Sequence, residues 1–443
     1  MKIRLVKIRD SLADSFWFVP TAMALGAIIA ALVLVEVDGG SGVRWLRDFD
    51  WFWSGGPDGA RAMMATIAGS LITVVSIVFS LTITTLSQTA THFGPRVLRN
   101  FTSDRGVQIT LGTFLSTFVY CLLVMRTVRS ADESDFVPYV AVNLGFLMTL
   151  ASLAVLIYFI DHVAKSIQAE NLIAVVGEDF LASLPVLFPK QIGAAHDPKE
   201  DRAPSVEKWK RAEKILTREA GYLQRIDDAQ LLRLAAEHDL IVRLIRRPGE
   251  FLAPGATVME YLPDRTSSGS LREQLGGTFA IGRHRTPHQD GLYPAQQLVE
   301  IAAHALSPGI NEPFTALTCI DWLGACLRGV ALSDEPAALR RDKDHRLRVI
   351  ANPLIFGQVV EVAFDQIRIC GGSNPDVVAR LFQTIQSLAP DLRRRNDCQV
   401  LIRQIRIIGG EIGRISNKSD RDRVTEQQQQ ALHALAESQP LDN

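Results

Sequence analysis

The sequence predicts an α-helical membrane domain of four transmembrane helices, with both termini on the cytoplasmic side. A cytoplasmic α+β domain with a small β-barrel or sandwich-like part follows. Three observations predict this. Nearly all long apolar runs fall within the first 160 of 443 residues. The connections between those runs alternate between arginine-rich and charge-balanced, as the positive-inside rule requires. Beyond them, helical periodicity alternates with short β-rich runs punctuated by Pro-Gly turns, the pattern of a mixed soluble domain. The domains are read as 1–165 (membrane, spans about 16–35, 62–91, 107–125 and 136–160), 166–415 (α+β) and 416–443 (tail).

The first span opens with Phe16-Trp17-Phe18 after a start carrying Lys2, Arg4, Lys7 and Arg9. Its uncharged run is too long for a signal-peptide core and no convincing small-x-small site follows Val35, so it is read as retained. The 36–61 connection holds Trp45, Trp51 and Trp53, residues that favour the headgroup level.

The second span, 62–91, carries no charge and is long enough to cross a bilayer. Steps of four and three residues from Thr66 meet Ser70, Thr73, Ile77, Ser80, Thr84, Ser87 and Thr91, a heptad seam of hydroxyls with one apolar break. In hydrocarbon such a seam needs a partner other than lipid. Close helix packing is one destination. The other is a water-filled pore made by copies of this helix, wetted by the hydroxyls and constricted by Ile77. A 3.5-residue period serves either. Past the seam, His92, Arg96 and Arg99 would form a basic inner vestibule with a weak preference for anions, or simply anchor the helix among phosphates.

The third span has a weaker hydroxyl face (Thr110, Thr113, Ser116, Thr117), and Asn143 is the strongly polar side chain of the fourth. The 92–106 connection has three arginines against Asp104, whereas acids balance or exceed bases in 36–61 and 126–135. The protein is therefore expected in a bacterial inner (cell) membrane, multi-pass. No Asp, Glu, Lys or Arg falls inside a predicted span, which speaks against a proton-driven pump and leaves a passive pore open. A net charge of −1 without basic-aromatic clusters argues against nucleic-acid binding. Cys121, Cys319, Cys326, Cys370 and Cys398 show no CxxC spacing; Cys121 lies in an apolar membrane run, and the other four read as reduced thiols of a cytosolic domain.

In the soluble part, 190–206 reads as a polar linker, 219–227 as a strand, 228–237 as a helix, 240–247 as a strand, and 248–261 as two turns and two strands. Residues 263–277 read as a Ser/Gly-rich loop. Phe279–Asp290 is the most unusual stretch, a short strand leaving into Arg283, His284, Arg285, His288, Gln289 and Asp290. Two histidines four apart beside two arginines make a weak metal set, and no metal is assigned. The cations suit an anion or phosphate better; the plain alternative is a polar interface to a neighbouring domain or subunit. Helices are expected from Pro294 to Leu306 and Phe314 to Val330, with Asn311 capping the second and Pro313 near its first turn. A strand is expected at 346–350, helices at 356–370, 374–388 and 396–414, and a frayed or coiled helix after Ser416. There is no GxxxxGK[ST], GxGxxG, HExxH, GxSxG or paired CxxC motif, so no enzyme and no cofactor is predicted.

Four stretches carry a family resemblance: Ala68-Gly69-Ser70 with Val78–Thr82; Phe93–Phe101 with Asp104-Arg105; Gly221-Tyr222-Leu223-Gln224 with Ile226-Asp227 and Arg285-Thr286, Gln289-Asp290; and Ala305–Ala316. Together they resemble the family of predicted bacterial membrane proteins called domain of unknown function twenty-two fifty-four, over nearly the whole chain. The sequence departs mildly from that pattern at Glu219 and Glu312. The resemblance implies a membrane location and no particular activity.

The leading functional expectation is a homo-oligomeric pore or ion channel lined by the second span, passing small ions and assembled or gated by the cytoplasmic domain. A membrane-anchored sensor or scaffold binding an anionic ligand at Arg283–Asp290 is the alternative. A membrane-bound enzyme working near residues 283–313 is a third, weaker one.

Overall fold

The computed structural model describes residues 16–39, 55–93, 104–129, 136–166, 168–188, 204–262, 269–287 and 289–438. The chain divides into two units between Gln168 and Ala169. Among the described residues, five helices are long and apolar enough to cross a membrane. Four are in the first unit: α1 (Phe18–Gly39), α2 (Pro57–Phe93), α3 (Arg105–Thr127) and α4 (Tyr139–Ser166). Each outruns the span read from sequence, because polar residues at their ends still satisfy helical hydrogen bonds.

In the first unit α3 is central and packs on α1, α2 and α4. Phe114, Tyr120, Cys121 and Val124 are fully enclosed. Its hydroxyl face points inward: Thr117 and Ser152 of α4 share a hydrogen bond of 3.1 Å, and the Tyr120 hydroxyl donates to the Ala141 carbonyl at 2.9 Å. Asn143, the polar side chain of the fourth span, donates to Tyr139 of its own helix at 2.9 Å.

Ionisable side chains gather at the helix ends. On α3, Arg105 and Arg126 lie about 31 Å apart along the axis, the thickness of a bilayer's hydrocarbon core. At one end the Asp38 carboxylate accepts from Val140 and Ala141 N–H at 3.1 and 3.0 Å, so α1 caps the start of α4. At that end Arg61 also donates to the Val128 carbonyl at 2.8 Å. At the other end Asp104 caps its own helix through Gly106 N–H at 2.7 Å and pairs with His162 Nε2 at 2.7 Å. The His162 ring stacks on Tyr158 at 5.4 Å.

The second unit starts with α5 (Ala169–Leu187) and a single-turn helix, α6 (Val206–Trp209). Then come β1 (Glu213–Leu216), β2 (Gly221–Ile226), α7 (Asp228–Glu237), β3 (Ile241–Leu244), β4 (Phe251–Leu252), β5 (Thr257–Leu262), α8 (Gly269–Gly276) and β6 (Phe279–Gly282). After α9 (Leu292–Ala305) and α10 (Pro313–Leu332), β7 (Leu339–Arg341) and β8 (Leu347–Ile350) return to the sheet. The chain ends in α11 (Phe356–Gly371), α12 (Pro375–Leu388), α13 (Arg395–Gly409) and α14 (Lys418–Glu437).

One sheet has the order β1-β5-β3-β8-β7, with β3 and β8 its parallel pair; the other, β4-β2-β6, is antiparallel. Leu223, Ile226 and Leu252 of the smaller sheet share a core with Val242, Val258, Tyr261 and Val349 of the larger and with Leu231 of α7. The β part is therefore two open sheets over one core and does not close into a barrel. Its strands are short, and among the described residues the two sheets exchange no ladder through which closure could run. Part of the expected 263–277 loop is helix α8, whose Leu271 and Leu275 are buried in that core. The run Thr266-Ser267-Ser268-Gly269 has turn composition, which masks the helical spacing after it; residues 263–268 lie outside the described residues. Strands β1 and β7 were not anticipated from sequence. They are edge strands of three or four residues, too short to show a period.

The fifth long apolar helix, α10, packs on α5, α9, α11 and α12, with Cys319, Ile320, Leu323 and Leu327 enclosed. Its N-cap position is held by Glu312, without a side-chain bond, and Pro313 stands at the first turn. Asn311 is therefore not the cap: it sits at φ 52° in the preceding turn, a conformation asparagine tolerates better than most residues. The α14 helix, capped by Asn417, buries Val424, Ala431 and Leu435 and packs on α12 and α13.

Candidate functional site

Helix α2 buries one stripe against its own unit: Ala60, Met64, Ile67, Ala68, Leu71 and Val78. The seam residues Thr66, Ser70, Thr73, Ile77, Ser80, Thr84, Ser87 and Thr91 are all exposed, and Ile77 is 63% exposed. At 100° per residue the seam centres about 150° around the helix from the buried stripe. Packing of these seam hydroxyls against α1, α3 or α4 is thereby excluded; the inward-facing hydroxyls include those of α3 together with Thr85 and Thr89 of α2, which are off the seam.

The reason for this assignment is steric and polar at once. The buried stripe interleaves large apolar side chains with Ala60 and Ala68, which lets α3 approach closely. Five of the seam hydroxyls donate within the helix, Thr73 to the Gly69 carbonyl at 3.4 Å among them. Thr66 donates to the Ala62 carbonyl at 2.7 Å, Ser70 to Ile67 at 2.9 Å, Thr84 to Ser80 at 2.9 Å and Thr91 to Ser87 at 2.9 Å. Such back-bonding leaves the oxygen lone pairs outward. The outer face is thus a column of acceptors, with Gly69 in an open space. Of the basic vestibule, the His92 side chain, Arg96 and Arg99 lie outside the described residues.

In the second unit the stretch 283–290 comes together only in part. Arg285 grips Asp290 through Nε at 2.6 Å and a second nitrogen at 2.9 Å, contacts the Gln296 amide oxygen, and lies 5.2 Å over the Tyr293 ring. Gln289 takes the Ile226 N–H at 2.8 Å and donates to the Ile226 carbonyl at 3.0 Å. Gln224 donates to the His284 carbonyl at 2.7 Å. These contacts tie the β4-β2-β6 sheet to the start of α9. Arg283 and His284 are exposed, and His288 lies outside the described residues. Asn311 is at the far end of α9, about 20 Å along its axis. Among the described residues no group of three His, Cys, Asp or Glu is placed to hold a metal ion.

Sequence reasoning missed a cleft beside this tie. Arg246, Arg247 and Arg340 line it together with Gln289, Asn352 and Asp228, in a volume of about 130 Å³. These residues are spread over more than a hundred positions, and each arginine reads alone as the polar end of a strand. Only the parallel β3–β8 pairing, which carries β7 on its flank, collects them.

The family described as Predicted membrane protein (DUF2254) matches residues 13–387 of the chain. Uncharacterized proteins of Mycobacterium bovis and Mycobacterium tuberculosis (H37Rv) are each 30% identical over 390 residues, covering 86% of this chain and 73% of the relative. A third, from Mycobacterium tuberculosis (CDC 1551), is 29% identical over the same length. No solved structure matches.

Proposed function

This chain belongs to the Predicted membrane protein (DUF2254) family, and from that premise we propose that it is the subunit of an oligomeric pore for small ions. Helices α1 to α4 span a bacterial inner membrane with both termini cytoplasmic, and α10 is a core helix of the cytoplasmic unit. Copies of α2 surround an axis, their hydroxyl oxygens wet the path, and Ile77 narrows it to a dewetting constriction. The arginines that follow α2 in the sequence, Arg96 and Arg99, would give a weak anion preference.

The observation that carries this reading is the outward direction of the seam. A column of hydroxyls that its own subunit leaves uncovered meets either lipid or a copy of itself, and copies related by an axis place acceptor beside acceptor with water between. The lack of ionisable side chains between the charged helix ends fits passive conduction rather than coupled transport. The test is current recording of the purified protein in planar bilayers. Discrete conductance, with a raised leak in Ile77→Ser, is expected. Silence of intact oligomers at every voltage, tension and pH, or a monomer in native membranes, overturns the reading.

A further inference from the structure

We infer that the cleft lined by Arg246, Arg247 and Arg340 binds a small oxyanion, a phosphate ester or pyrophosphate group. The site lies wholly within the second unit and does not depend on conduction through α2. Arg247 is three-quarters covered, at 24% side-chain exposure, yet its nearest carboxylate oxygen among the described residues, on Glu250, is 3.8 Å away. Its short side-chain contact, at 2.6 Å, is to the neutral amide oxygen of Gln358. Arg340 is 15% exposed and meets Asp228 at 3.3 Å. Arg246 is paired loosely at the rim with Glu250, at 3.1 Å.

A covered guanidinium without a close anion is costly, since it has surrendered water without a full-strength replacement. Asp290 also faces the cleft, but Arg285 holds both its oxygens. Counting that pair as neutral leaves three guanidinium groups against two carboxylates, Asp228 in the lining and Glu250 at the rim, a surplus of one positive charge. Guanidinium forks match the oxygens of phosphate two at a time. Asn352 brings an amide to the same space, and Leu244, Leu292 and Leu354 supply an apolar wall for an organic remainder. At Gly291 the wall is tightly packed: a Cβ there would lie 2.6 Å from Leu187 and 2.8 Å from Leu354.

The probe is inorganic pyrophosphate, titrated calorimetrically against the full chain in neutral-lipid nanodiscs. Saturable binding is expected, weakened about tenfold or more in Arg247→Gln and in Arg340→Gln, as for loss of a charge-assisted hydrogen bond. Arg403→Gln, at an exposed position of α13 outside the cleft, leaves the affinity unchanged. Asn352 is exposed, so Asn352→Asp keeps the fold and sets a carboxylate at the lip; it too weakens binding. Nanodiscs rich in phosphatidylglycerol separate the sources. Competition with pyrophosphate identifies a lipid headgroup, and unchanged affinity identifies a free anion. The inference is overturned if pyrophosphate does not bind at millimolar concentration, or if folded Arg247→Gln and Asn352→Asp bind it as the parent does.

Discussion

The same substitution at two glycines of the membrane unit separates its inner and outer surfaces. At Gly112 of α3 an added Cβ would lie 2.5 Å from Met23 Sδ and 3.2 Å from Pro20 Cα. Carbon contacts are comfortable at about 3.5–4.0 Å. The methionine can swing aside; the Pro20 backbone yields only if α1 moves away by roughly half an ångström. Overpacking of that kind costs about 1–3 kcal/mol, and it acts on the α1–α3 contact on which α1 chiefly rests. At Gly69 of α2 a Cβ meets nothing within 4 Å, so Gly69→Ala leaves the isolated subunit unchanged to within about 0.5 kcal/mol. Reversible unfolding of each variant in detergent measures the difference. Size-exclusion and current recording then ask whether Gly69→Ala, neutral for the fold, disturbs assembly or conductance. The reasoning is refuted if Gly112→Ala is as stable as the parent, or if Gly69→Ala destabilises the detergent-solubilised monomer by more than about 1 kcal/mol.

Three further outcomes are expected. Asp104→Ala removes a helix cap and the His162 partner together and lowers stability by about 0.5–2 kcal/mol, whereas Asp104→Asn, which keeps an acceptor for Gly106, loses less; protease resistance of the α3–α4 region reads both. Gly177→Ala brings a Cβ to 2.2 Å from the Trp322 ring, so the helix-propensity gain of about 1 kcal/mol is outweighed and melting of the second unit moves down. Burial pushes the Asp342 carboxyl up, but Arg348 and the N–H groups of Arg346 and Asp344 more than offset it and hold it below its ordinary value of 3.8. A lowered folded value means stability that is complete above the unfolded value and lost as pH falls through the folded one. Asp342→Asn is therefore expected to cost stability at neutral pH and little in acid, measured by melting at both.

What the residues alone determined is local. An apolar run long enough to span, Pro313 at a helix start and the seam's heptad spacing are all settled within a few turns of chain. Much of the order of elements in the second unit was legible for the same reason, but not β1, β7 or α8. Tertiary contacts decided the rest. Both α2 and α3 carry hydroxyl faces, and periodicity ranks α2's as the stronger; yet α3's is the one enclosed, because α3 is packed between its neighbours, where Thr117 meets Ser152 of α4, although hydroxyls of both helices bond back to their own carbonyls. Residues 283–290 looked like a ligand loop because a sequence cannot show that Arg285 and Gln289 are occupied by Asp290 and the Ile226 backbone. The arginines of the cleft were invisible singly, since their common charge exists only where a parallel strand pairing brings positions a hundred residues apart to one wall.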